Sequence, residues 1–181
     1  MPKGEGGIFQ PSAAKWNILG TNDAHFYTYA GEGTNAIQQV KMTTYSNVAS
    51  AATSIPTDDT IPQNTEGTEY MSQAITPMSA TNLLIIEVGM LIASSVTSNM
   101  VLALFQDSTA NALAVANQYQ QTATGMCQVP LSYSMTAGTT SSTTFKLRAG
   151  TGGTTTMNGT GAARYFGAIP KSWIKVTEYK V

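Results

Sequence analysis

The chain has 181 residues and a mass of 19.1 kDa, which fits one domain with an additional arm. Only 10% of its residues are charged, and Ser and Thr, roughly a quarter of the chain, take the place of the missing charge. A net charge of -1 speaks against a nucleic-acid binder, while a single cysteine (Cys127) and a single histidine (His25) exclude an internal disulfide framework, a cysteine-rich zinc site and any site built on several histidines.

Residues 1–36 come first and look unlike the rest. Glycines alternate irregularly with isolated aromatics (Phe9, Trp16, Phe26, Tyr27, Tyr29), and the segment has no apolar core of a signal peptide. Alone it cannot bury Trp16 or Phe26, so it is expected to pack on the following domain or to insert into a partner. Further on, Asp58-Asp59, between two Ile-Pro pairs, reads as a solvated turn. Segments 83–92 and 100–105 are nearly continuous apolar runs, which predicts strands buried on both faces. The first contains Glu87, and at about half the length of a membrane span it is too short to cross a bilayer.

Turn clusters follow at Ser98-Asn99 and at 106–109. Segment 110–118 suits helix or strand, and its Leu-Ala-Val centre favours strand. Alternation is clearest later on. Val129, Leu131, Tyr133 and Met135 alternate with Pro and Ser. Phe145, Leu147 and Ala149 alternate with Lys146 and Arg148, and Ile174 and Val176 with Lys175 and Thr177. Period-2 patterning predicts half-buried antiparallel strands, with Lys146 and Arg148 on a solvated outer face. The Thr- and Gly-rich stretch 150–161 reads as a mobile loop. Many short strands divided by turn residues make the fold class all-β, an antiparallel jelly-roll sandwich (37–181) preceded by an extended arm (1–36).

Catalytic chemistry finds little material. Asp58 and Asp59 point apart in an extended segment, and the glycines at 150, 152 and 153 do not complete a phosphate-binding motif. No catalytic residue, metal site or cofactor is expected. Cys127 reads as a small core or interface residue. Tyr70, Tyr119, Tyr165 and Trp173 are candidates for stacking on a sugar.

Four strings stand out as an ordered set: IPTDDTIPQNTEG at 55–67, ALFQDSTANALA at 103–114, MTAGTTSSTTFKLRAG at 135–150, and GAARYFG at 161–167 followed by SWIKVTE at 172–178. Together they resemble the C-terminal jelly-roll domain of tailed-bacteriophage virion proteins, such as head decorations, head fibres and tail-fibre tips. The resemblance covers residues 37–181. It implies a tumour-necrosis-factor-like sandwich that forms a homotrimer on the surface of a virion, with no catalytic residues and no fixed receptor residues. The expected function is structural: a trimeric decoration, cement or head-fibre protein. Its arm would dock on the major capsid protein or another virion component through Trp16, Phe26 and Tyr27. The alternative is a short tail-fibre protein that adheres to host surface glycans. Neither nucleic acid nor membrane insertion is expected.

Overall fold

The computed structural model describes residues 36–181. The expected anchoring residues Trp16, Phe26 and Tyr27 lie outside the described residues. Along the chain run β1 (Ile37–Tyr45), β2 (Ala49–Ala51), β3 (Thr68–Ile75), β4 (Leu83–Ser94), β5 (Ser98–Gln106), β6 (Ala114–Gln120), β7 (Met126–Thr136) and β8 (Thr143–Thr151). Then come β9 (Thr155–Met157), β10 (Gly159–Thr160), β11 (Ala163–Arg164), a 3-10 turn (Phe166–Ala168) and β12 (Ser172–Tyr179).

These strands form an antiparallel jelly-roll sandwich. The first sheet is centred on β4. One edge of β4 pairs with β7 over 83–93; the other is shared end to end by β12, which carries β1, and by β9, which carries β2. The second sheet has the order β3-β8-β5-β6. Successive strands switch sheets, as β3 to β4 to β5 and β6 to β7 to β8 do. Distant parts of the chain therefore become neighbours, and apolar side chains from both layers meet in one core. Leu84, Ile86, Val88, Met90 and Ile92 of β4 face Met100, Leu102 and Leu104 of β5 and Phe145 and Leu147 of β8, all nearly inaccessible.

The alternating segments fold as their pattern predicts, within β7, β8 and β12. Segment 100–105 is buried on both faces, as a continuous apolar run demands. Segment 83–92 is only partly so: its inward residues are buried, whereas Leu83, Ile85 and Leu91 are half exposed on the outer face. Segment 110–118 resolves as strand, beginning at Ala114 and paired with β5.

Two expectations about turns and loops are corrected. Ser98 and Asn99 open β5, and the reversal falls one step earlier, at 95–97. The stretch 150–161 is no loose loop, because β9 and Asn158 are buried. Its hydroxyls find partners inside: Thr155 Oγ1 donates to Thr151 Oγ1 at 3.1 Å, and Thr156 and Ser50 share a 2.9 Å bond. Paired hydroxyls make these β-branched residues compatible with a core. Asn158 seals the gap that β9 and β12 leave along β4. Its N–H reaches Leu91 O, its Nδ2 donates to Tyr45 O and Asn47 O, and its Oδ1 accepts from Ser172 Oγ, which itself accepts from Leu91 N–H.

The outer face of the second sheet has its own cover. Residues 54–67 form a loop whose ends meet, with Gly67 N–H donating to Ser54 O at 2.9 Å. Such closed loops pack as compact surface units. Ile55 inserts against Val101, Ala103 and Phe105. Gly150 lets the loop approach, since a Cβ there would collide with the backbone of Ser54 and Ile55. Gly67, at φ 60, turns the chain out of the loop. The expected solvated role of Arg148 is corrected here. Its Nε donates to Glu66 O and its guanidinium NH2 to Gly67 O, both at 2.7 Å, fastening the loop to β8.

Candidate functional site

The outer face of the first sheet has no such cover among the described residues. Strand pairing fixes its members, because directly opposed residues of an antiparallel pair point the same way. Val40, Met42 and Thr44 of β1 lie beside Thr177, Lys175 and Trp173 of β12, which lie in turn beside Ile85, Glu87 and Gly89 of β4. Ser134, Ser132 and Pro130 of β7 complete the rows. Ile37, Val40 and Met42 are exposed large apolar side chains. The charged residues in these rows, Lys175 and Glu87, meet at 2.5 Å, so the pair adds no net charge. Gly89 keeps the face low. A Cβ there would stand 2.7 Å from Trp173 Nε1 and 2.7 Å from Gln128 Nε2, so the absence of a side chain lets the indole lie over the strand.

At the Trp173 end the connection between β11 and β12 protrudes. Phe166, Gly167 and Ala168 all have positive φ (49, 62 and 66). Ala168 N–H bonds Tyr165 O at 3.0 Å and Ile169 N–H bonds Phe166 O at 3.1 Å, closing a left-handed turn. Left-handed backbone costs about 1–2 kcal/mol at each non-glycine residue. The turn nevertheless displays Phe166 (74% exposed) and Ile169 (81%) to solvent.

Beneath the face, β12 and β1 are held by a buried carboxylate. Glu178 has no accessible surface. Its Oε1 accepts from Asn82 Nδ2 (2.6 Å), Met78 N–H (2.8 Å) and Ser79 N–H (3.3 Å), and its Oε2 from Gln39 Nε2 (2.6 Å). Burial alone would push its pKa up; the donors of Gln39, Asn82, Met78 and Ser79 outweigh this and hold it below the usual glutamate value. The rim of the sheet that presents β1 is therefore firm.

The other sequence candidates scatter. Tyr70 is buried with its hydroxyl donating to Thr155 O at 2.9 Å, and burial pushes its phenol up to about 12, so it offers nothing to a sugar. Tyr165 belongs to the protruding connection, Trp173 to the outer face, and Tyr119 stands exposed on β6. Lys146 shares the outer side of β8 with Arg148. Cys127 is half-buried on β7 against the core, where burial pushes its thiol up. Asp58 caps a tight turn, its Oδ1 accepting from Thr60 N–H (3.0 Å) and Thr60 Oγ1 (2.6 Å). Among the described residues no group of three or more His, Cys, Asp or Glu side chains could hold a metal, and no helix is long and apolar enough to cross a membrane. Sequence reasoning missed Ile37, Val40 and Met42. The signal was weak because a register shift between Ile37 and Gln39 breaks the alternation.

A family model described as the Pgp3 C-terminal domain matches residues 36–161. The chain belongs to the Pgp3 C-terminal domain family. The family match takes in β1 to β10, and with them the second sheet, the covering loop and the first sheet except β12; β11, the protruding connection and β12 lie beyond it. No curated protein matches the chain. Among solved structures, Eiger TNF from S. frugiperda is 10% identical, covering 78% of this chain and 91% of its own, with a TM-score of 0.46. The VP2 subviral particle of infectious bursal disease virus is 12% identical, covering 95% of this chain and 46% of its own, with a TM-score of 0.35.

Proposed function

We propose that this Pgp3 C-terminal domain family member is a self-associating structural protein. Three copies would bring the outer faces of their first sheets together around a common axis. The observation that supports this is the exposed apolar row Ile37, Val40 and Met42 beside an internally neutralised Lys175–Glu87 pair. Such a surface meets another copy without charge repulsion, and neighbouring exposed apolar side chains on one sheet face suit a protein contact. Obligate homo-oligomer interfaces resemble an opened core.

The finer reading places the trimer on a bacteriophage virion, as capsid decoration, cement or head fibre. Its support is the ordered set of sequence strings; none of the matched proteins above is a phage protein. In this reading residues 1–36 dock on the major capsid protein or another virion component, with Trp16, Phe26 and Tyr27 as anchors. The protein performs no catalysis and needs no cofactor. Electron microscopy of particles labelled for this chain tests the placement. Many copies over the head are expected, and no labelled particles would end the virion reading. A second reading, adhesion to host glycans, is favoured by the cleft beside Tyr119, described next.

A further inference from the structure

A cleft of about 290 Å³, lined by uncharged residues, lies on the second sheet, away from the outer face of the first sheet, between the first leg of the covering loop, the start of β5 and the end of β6. One wall is Ser54, Pro56 and Thr57; the other is Tyr119; Asn99 and Gly152 contribute to the remaining lining. Both walls are held in place. Ile55 is 3% exposed in its apolar socket, and Ser54 O is tied by Gly67 N–H at 2.9 Å. Tyr119 sits on β6 opposite Asn99 of β5. A cleft shaped before binding loses little to ordering.

The chemistry of the lining is selective. No Asp, Glu, Lys, Arg or His lines the cleft. Tyr119 is 54% exposed and lines the cleft. Asn99 Oδ1 accepts from Asn117 Nδ2 at 3.1 Å, which fixes the amide and leaves Asn99 Nδ2 as a donor. The hydroxyls of Ser54, Thr57 and Tyr119 make no hydrogen bond to other described residues. A flat aromatic beside uncharged donors and acceptors suits a ligand with an apolar ring face and hydroxyls around its edge.

We infer that this cleft binds one neutral hexose unit of a glycan, stacked on Tyr119 and hydrogen-bonded by Asn99 and the hydroxyls of the loop wall. The inference rests on the adhesion reading and names its site. It is independent of self-association, since the cleft and the bare face lie on different sheets.

The test is saturation-transfer NMR and calorimetry on the full chain, with the methyl glycosides of glucose, galactose, mannose and N-acetylglucosamine as probes, and sialic acid as the charged control. At least one neutral glycoside should bind. Tyr119→Ala should weaken it roughly tenfold or more, Tyr119→Phe should retain most of the affinity, and Asn99→Ala should weaken it. Tyr119 is exposed, so the variants should keep the wild-type melting profile and sedimentation coefficient, which separates loss of the site from loss of the fold or of the oligomer. Binding of sialic acid alone, binding unaffected by Tyr119→Ala, or no binding of any glycoside would overturn the inference.

Discussion

The two outer faces of the sandwich meet the same problem differently. On the second sheet, Val101, Ala103 and Phe105 point outward, yet the chain's own loop at 54–67 buries them with Ile55. On the first sheet, Ile37, Val40 and Met42 point outward, and among the described residues no segment covers them. The difference lies in what the chain supplies. A glycine at 150 admits the covering loop and Arg148 fastens it. On the first sheet Gly89 serves another end, lowering the surface so that Trp173 lies flat. A covered face belongs to the folding of one copy; under the proposed function, the other is where a second copy would pack.

Four substitutions would break or sharpen this contrast. Phe105→Ala removes the largest side chain under the loop and should cost about 3–5 kcal/mol, read as a lowered urea midpoint. Ile55→Ala should cost about 2–4 kcal/mol and expose the second face, so that binding of a hydrophobic dye rises while the oligomeric state holds. If Ile55→Ala instead dissociates the oligomer, the division of labour between the faces is wrong.

Glu178→Gln weakens the support under β1 and should cost about 1–3 kcal/mol at neutral pH. Its pH behaviour follows from the lowered carboxyl. A carboxyl whose folded pKa lies below its unfolded value stabilises the fold above the unfolded value, near about 4.3, and loses that contribution as pH falls through the folded one. Wild type should therefore lose stability across that acid window, and the Gln variant should lose less; parallel urea midpoints for the two would contradict it. Tyr70→Phe, which removes the bond to Thr155 O, should cost about 1 kcal/mol and leave both faces unchanged.

The sequence was most legible where one side of a strand meets water. Val129 to Met135 and Phe145 to Ala149 announced their faces through alternation, and the apolar run 100–105 announced a strand covered on both sides. Thr155 and Thr156 misled because their burial depends on hydroxyl partners, Thr151 and Ser50, that lie in other elements. Arg148 misled for a related reason: alternation places it outward, but only the fold shows that the carbonyls of Glu66 and Gly67 wait there. The string at 55–67 drew attention through resemblance, and its physical role as a cover emerges only with Gly150 beneath it. The association face was the least legible part. Its apolar row is interrupted in sequence and assembled by register.

Sedimentation of the full-length wild type against a Val40→Asp/Met42→Asp double variant is the most direct test of the bare face. Both side chains are exposed, so the fold of one copy should change by no more than about 0.5 kcal/mol. Wild type should sediment as a trimer of the 19.1 kDa chain and the variant as a monomer. A wild type that remains monomeric at high protein concentration, or a double variant that associates as tightly as wild type, would contradict the account.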